Sequence, residues 1–379
     1  MYIPEQKYKS IFKTYLIYFI CMALFCGVRI LSARGWLADL KYWQADIIAT
    51  IIIQIIIMFL LPLILYCLFL KVKPKSVFKT CNYNKINIQT ILISLGLGIL
   101  VFFVNIIVSS LFNGIISFTG YQTPIFLGGG QEVSYDFVYF LLDVVLVAVL
   151  PALCEEFLHR GILLQGTKHS GFYRAIFISS IMFGLIHFDI SKVFYATVLG
   201  VIMGFVSVVA KNIWVPTIIH FVNNFIAVYF DYAQENGWFG SGFYSSINEF
   251  ARSNRLVVFL TIFIILCVVV ALLTYLIMLL FKQTILKRVN KAIKKVYENE
   301  NKSLRDEPII IEKNKMIQTI LENNTMLNLD YEQMKSPIEA VMPKQKNVYK
   351  TTYKDNIFLI ASIILSSLVT LFTFVWGFF

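Results

Sequence analysis

The sequence predicts an all-α, polytopic membrane protein, and three observations carry that prediction. Of the 379 residues, 58% are hydrophobic and 15% charged, with a mean hydropathy of +0.73, which is more apolar surface than one water-soluble core can hide. The apolar residues gather into about nine runs, each approaching the ~20 residues that a helix needs to cross a bilayer. Ionisable residues break into those runs at a few places only, and the places are ordered.

In chain order the predicted transmembrane runs are 15–31, 47–70, 88–112, 137–153, 175–188, 193–209, 213–230, 256–281 and 357–379. The fifth and sixth are short for a lipid-facing helix, which fits segments surrounded by protein. Lys7, Lys9 and Lys13 precede the first run as they would a signal peptide, but Arg29 interrupts its end and no small-residue cleavage site follows, so it reads as a retained span. The chain divides into two N-terminal helices (1–87), a central helical core (88–230), an outer loop with the eighth span (231–281), a basic loop (282–355) and a C-terminal span (356–379).

The net charge of +11 would suggest a nucleic-acid partner in a soluble protein, whereas in a membrane protein it bears on topology. No nucleic acid is expected, and the lipid bilayer is the first partner. Assigning alternate loops to opposite sides puts 27 of the 33 basic residues on one face and 6 on the other. Without the fifteen in the long loop, where the positive-inside rule is weaker, the ratio is 12 to 6 and keeps its sign. This places the N-terminus in the cytoplasm and the C-terminus outside, and a bacterial plasma membrane is the expected location. The start of the basic loop sets Leu286, Val289, Ile293 and Val296 on one helical face among lysines, the pattern either of a helix lying on an anionic leaflet or of a solvated linker. The triple glycine 128–130 reads as a connector, lacking the strand, helix and basic residue of a phosphate cradle. Six scattered cysteines without a C-x-x-C pair indicate neither a disulfide framework nor a zinc finger.

Charges inside apolar runs are expensive in lipid and should face a protein interior or a water-filled cavity. The fourth run ends LCEEFLHRGILLQ, with Glu155, Glu156, His159 and Arg160. The fifth contains Phe183 and His187, and the seventh carries His220, Asn223 and Asn224, while Asp143 lies alone higher in the fourth. Glu156 and Arg160, four residues apart, share a helical face and can neutralise each other, whereas Glu155 is rotated about 100° away. His220 and Asn224 likewise project from one face. A free carboxylate, imidazoles and an amide form a minimal hydrolytic kit, in which a buried carboxylate takes a proton from water and His or Asn donors hold the oxyanion. The same residues offer a second chemistry, a zinc site of His187, His220 and Glu155, although H-E-x-x-H is absent. Each residue also has a structural reading. The Glu156–Arg160 pair alone is a purely structural pair, a lone His187 a core histidine, the asparagines helix-packing glue, His159 an interfacial group, and Asp143 a partner to a neighbouring helix. Three ordered polar clusters in a chain with four histidines are poorly explained by those separate readings.

The ordered set E-E-x-x-x-R (Glu155, Glu156, Arg160), F-x-x-x-H (Phe183, His187) and H-x-x-x-N (His220, Asn224) resembles the signature of the CPBP, or Abi, intramembrane proteases. That family includes the type II CAAX prenyl endopeptidases and lysostaphin-resistance-like proteins. The resemblance covers roughly 88–230. It implies a helical core around a conical cavity opening toward the cytoplasm and the membrane. Glu155 would then be the general base with His187 beside it, His220 and Asn224 would hold the oxyanion, and Glu156, Arg160 and Phe183 would support the site. Members are described both as metalloproteases and as glutamate-type proteases, so no cofactor is required in the favoured reading and a divalent metal such as zinc is its alternative. The function expected is an intramembrane endopeptidase acting on a membrane-associated peptide or protein by Glu-activated water near the cytoplasmic side. The alternatives are a non-catalytic scaffold or bacteriocin-immunity-type protein of the same family and, further off, a transporter, for which no inverted repeat is visible.

Overall fold

The structure, a computed structural model, describes residues 5–121, 135–251, 255–300 and 351–376, so the 128–130 glycines and most of the basic loop lie outside the described residues. Those described fold as α1 (Glu5–Ala33), α2 (42–70), α3 (Pro74–Thr80), α4 (Ile88–Ser117), α5 (137–167), α6 (Phe172–Leu185), α7 (Ile190–Ala210), α8 (Trp214–Asn236), α9 (Phe243–Ala251), α10 (Arg255–Glu300) and α11 (Tyr353–Trp376). No strand occurs among the described residues. Each of the nine predicted runs falls on one of these helices over most of its described residues, the fifth continuing three residues past the end of α6. Seven helices are long and apolar enough to cross a membrane, while α6 has 14 residues and α8 falls short in hydropathy because His220, Asn223 and Asn224 interrupt it.

Local chemistry sets the helix ends. Asn87 caps α4 by accepting from the Thr90 N–H at 3.2 Å, Asp136 caps α5 through the N–H groups of Val138 and Tyr139, and Asp189 caps α7 through Ser191. Gly237 ends α8 in the left-handed region, at φ +66°, where glycine carries no steric cost. The fourth helix carries Glu155, Glu156, His159 and Arg160, as their shared helical spacing implied, and continues as a 34-residue apolar span, Phe137–Ser170. One sequence expectation is revised. The opening of the basic loop is not a separate surface helix. It continues α10 to Glu300 in one 46-residue helix, ~69 Å long at 1.5 Å per residue.

The helix ends sort into two layers. One holds the starts of α1, α4, α6, α8 and α11 with the ends of α2 and α7, tied by Lys13 Nζ to the Phe69 carbonyl (2.5 Å), Asn84 Nδ2 to the Lys211 carbonyl (2.8 Å) and Arg174 Nη2 to Asn356 Oδ1 (2.9 Å). Thr90 at the start of α4 also meets Gln283 of α10 there, at 3.0 Å. The opposite layer joins Asn236 Nδ2 to the Tyr135 carbonyl (2.7 Å), stacks Tyr121 on Phe374, and sets Thr373 Oγ1 on the Phe188 carbonyl (2.7 Å). The helices that carry the nine predicted runs, α1, α2, α4, α5, α6, α7, α8, α10 and α11, therefore alternate in direction as the lysine count assumed, and the lysine-rich connections among the described residues lie in the first layer.

Two apolar clusters fill the interior. One joins Tyr15 and Tyr18 of α1, Met58 of α2, Phe157 of α5, Ile186 of α6 and Leu359 of α11. The other joins Leu97 of α4, Phe183 of α6, Met203 of α7, Ile219 of α8 and Leu273 of α10. Helices α5 and α6 form the seam between them. Helix α6 meets α7 closely because Gly184 and Gly200 have no side chain in the crossing. A Cβ at Gly184 would collide with the Thr197 hydroxyl and come within 2.6 Å of the Val193 carbonyl, and one at Gly200 within 2.9 Å of the Ser180 Cα.

Candidate active site

A cavity of about 490 Å³ opens at this seam, with Glu155, His187, His220, Asn223 and Asn224 among its lining residues. Straight helices of full spanning length would leave Glu155, late in an inward-running helix, and His187, late in an outward-running one, at unequal depths, and the length of α6 removes the conflict. Fourteen residues give only ~21 Å of helix, and His187 follows two residues beyond the end of α6. Glu155 lies twelve residues before Thr167 at the end of α5, ~18 Å from the same layer. The two residues come level because one helix is short.

The local backbone is irregular where the cavity forms. Residues 51–60 of α2, and 144–149 and 157–164 of α5, hydrogen-bond one residue wider than an α-helix, a distortion that occurs most often at functional sites. Pro151 has no N–H to offer the Val147 carbonyl four residues back. Asn224 of α8 supplies a donor instead, its Nδ2 lying 3.0 Å from that carbonyl, while its Oδ1 accepts from Asn223 Nδ2 at 3.0 Å. Asn223 Oδ1 in turn accepts from Asn105 of α4 at 3.2 Å. Part of the asparagine chemistry is therefore helix packing, with one Asn224 N–H remaining beyond the bond to Val147.

The adjacent carboxylates have separate surroundings. Glu156 is fully buried, and its Oε1 accepts from Arg160 Nη1 at 2.7 Å and from His220 Nδ1 at 3.1 Å. Arg160, also fully buried, gives Nη2 to the Gly200 carbonyl at 3.2 Å and lies 4.4 Å over the Phe183 ring. The predicted i,i+4 pair is present, and it also holds an imidazole that the spacing did not assign to it. Because a carboxylate only accepts, His220 carries a proton on Nδ1 and turns Nε2 to the remaining space. Glu155 points elsewhere, to the cavity wall, where Gln54 Nε2 of α2 donates to its Oε1 at 2.9 Å. The His187 imidazole makes no hydrogen bond to a protein group among the described residues and stands edge-on to Phe183, 5.6 Å between centroids.

His159 is not interfacial, as expected from its place beside the charged pair, but fully buried. Its Nδ1–H donates to the Glu155 carbonyl at 2.8 Å, which leaves Nε2 to accept the Tyr18 hydroxyl at 3.0 Å. Asp143 accepts from Tyr232 of α8 at 2.7 Å, the interhelical bond its structural reading anticipated. Gln54, Asn105 and Tyr18 had not been singled out. Gln54 had one sequence signal, as a lone carboxamide within IIIQIIIMFL, where lipid exposure would be costly.

Arg29 near the end of α1 and Lys192 near the start of α7 also line the cavity, both on the side opposite the lysine-rich layer. No residue from the helix ends of the lysine-rich layer lines it. Among the described residues, no three His, Cys, Asp or Glu side chains converge as a metal-binding group. His187, His220 and Glu155 share the cavity but are not drawn together as three ligands of one ion.

Comparison with known proteins bears on this segment. Residues 137–226 match the family model described as type II CAAX prenyl endopeptidase Rce1-like, and that stretch contains Glu155, Glu156, Arg160, His187, His220 and Asn224. A Bacillus subtilis (strain 168) protein named "Putative membrane peptidase YdiL" is 28% identical over 88 residues, which is 23% of this chain and 36% of that protein. No solved structure matches.

Proposed function

We propose, from the premise that the chain is a CPBP-family membrane protease with its Rce1-like segment at 137–226, that it is an intramembrane endopeptidase using Glu155 to activate water. The observation that supports this reading is the division of labour between the two acids. Glu156 is consumed by Arg160 and His220, whereas Glu155 reaches the cavity that His187 also lines. Glu155 takes a proton from water with His187 beside it, and the resulting hydroxide attacks the carbonyl carbon of a peptide bond. The remaining Asn224 N–H donates to the developing oxyanion, and His220, held through Nδ1 by Glu156, turns Nε2 to the same space. Glu155 then returns its proton to the leaving amine as the C–N bond breaks. The donor set suits this chemistry better than a tetrahedral zinc site, which normally takes three converging protein ligands.

The substrate is a membrane-associated peptide or protein. The sequence-based expectation was entry near the cytoplasmic side. The cavity lining favours the opposite face, because it includes Arg29 and Lys192 on that side and no residue from the helix ends of the lysine-rich layer, which is cytoplasmic by the positive-inside rule. We therefore place substrate entry on the outer side. Purified protein in proteoliposomes should cleave a membrane-inserted peptide, and Glu155→Gln should lower the rate by ~10²–10⁴-fold, the usual range for a general base. A folded Glu155→Gln variant with full activity would refute the assignment. Cleavage by neither protein of any membrane peptide would favour the scaffold reading.

A further inference from the structure

We infer that Gln54, on a helix outside the family-matching segment, is a positioning residue that holds the Glu155 carboxylate in its working orientation. The inference rests on the proposed base role of Glu155. Gln54 and Glu155 are each more than nine-tenths buried, and both line the cavity. The Gln54 Nε2–H donates to Glu155 Oε1 at 2.9 Å, which leaves the other carboxylate oxygen to take a proton. A hydrogen bond to an ionised group is strong enough to fix a rotamer, and it favours the charged form that a base requires.

A glutamine buried between membrane helices is ordinarily packing glue, with both ends of its amide satisfied. Gln54 departs from that pattern in two ways. Its Oε1 has no hydrogen-bond partner among the described residues, although the atom is buried and the side chain lies on the cavity wall. Its donor goes to the side chain of the proposed base and not to the backbone of the neighbouring helix. Its own backbone lies in the wide-turn stretch Ile51–Leu60, one of three such stretches around the cavity, where regular helix has been given up. Nine other residues of that stretch are apolar, so the one polar group in it has been placed against Glu155. The second helix thus completes a site whose proposed catalytic groups, Glu155, His187, His220 and Asn224, all come from 137–226.

The test uses the full chain in proteoliposomes with a fluorogenic membrane peptide. Gln54→Met keeps length and volume while removing the donor. It should lower kcat by about 10- to 100-fold, the size expected for losing a hydrogen bond to a charged group, with KM within about twofold of the parent. In the Glu155→Gln background the same change should have no further effect on the residual rate, because Gln54 acts through Glu155. Thermal unfolding in detergent should move little. Full activity of Gln54→Met beside an inactive Glu155→Gln overturns the role of Gln54 alone. An equal fractional loss in both backgrounds, or a loss that tracks unfolding, shows a packing role and overturns it as well. An active Glu155→Gln removes the base reading, and the role of Gln54 with it.

Discussion

Glu156→Gln is the sharpest test of how the two acids divide their work. Arg160 is fully buried, and its neutralising partner is Glu156 Oε1 at 2.7 Å. Removing that charge leaves the guanidinium with the Gly200 carbonyl and the Phe183 face, contacts it already has and which therefore recover nothing. Breaking a buried pair by deleting one partner costs ~3–5 kcal/mol, which is roughly two to four decades in the folded-to-unfolded ratio. Glu156→Gln should accordingly unfold at a much lower temperature in detergent, followed by tryptophan fluorescence or by loss of the monodisperse peak after heating. Glu155→Gln should stay within ~1 kcal/mol of the parent, since a glutamine oxygen can still accept from Gln54. The double variant Glu156→Gln/Arg160→Met should regain a large part of the loss, because it removes both charges and refills the volume. The reasoning fails if Glu156→Gln melts with the parent, or if Glu155→Gln proves to be the unstable one.

Three further outcomes follow. Phe188, directly after His187, has a left-handed backbone (φ +52°), a conformation costing ~1–3 kcal/mol in a bulky residue, and the Thr373 hydroxyl of α11 holds its carbonyl at 2.7 Å. Thr373→Val should therefore lower kcat several-fold by loosening His187, and an unchanged kcat would detach α11 from the site. Exhaustive chelation should leave activity intact and zinc substoichiometric by elemental analysis, whereas stoichiometric zinc lost and regained together with activity would make His187, His220 and Glu155 ligands. In intact cells an impermeant thiol reagent should label Lys41→Cys, and Lys75→Cys should stay at the parent's level, because those positions lie in opposite layers; the reverse pattern would turn the cavity toward the cytoplasm.

What the sequence made legible was periodic or local. Apolar runs became helices because a backbone in hydrocarbon has to satisfy itself, and Glu156 with Arg160 followed from a four-residue spacing. What it hid was set by which helix lies beside which. The Glu156–His220 bond needs the register of α8 against α5, and the burial of His159 needs Tyr18 on α1, 141 residues away. Gln54 carries a local signal of cost but no sign of its partner, since Glu155 lies 101 residues further along.

The length of α6 determines where the chemistry occurs. Six more residues would bring α6 to the ~20 of an ordinary span and carry His187 ~9 Å toward the opposite layer, beyond any shared contact with Glu155. The close crossing at Gly184 and Gly200 holds α7 against α6. The cavity lies alongside this hairpin, with Ile186 and His187 after α6 and Lys192, Tyr195, Ala196 and Leu199 of α7 among its lining. Its lining includes Arg29 and Lys192 and no residue from the helix ends of the lysine-rich layer. On the proposed reading, the short α6 is what lets an acid on α5 and an imidazole after α6 face one space.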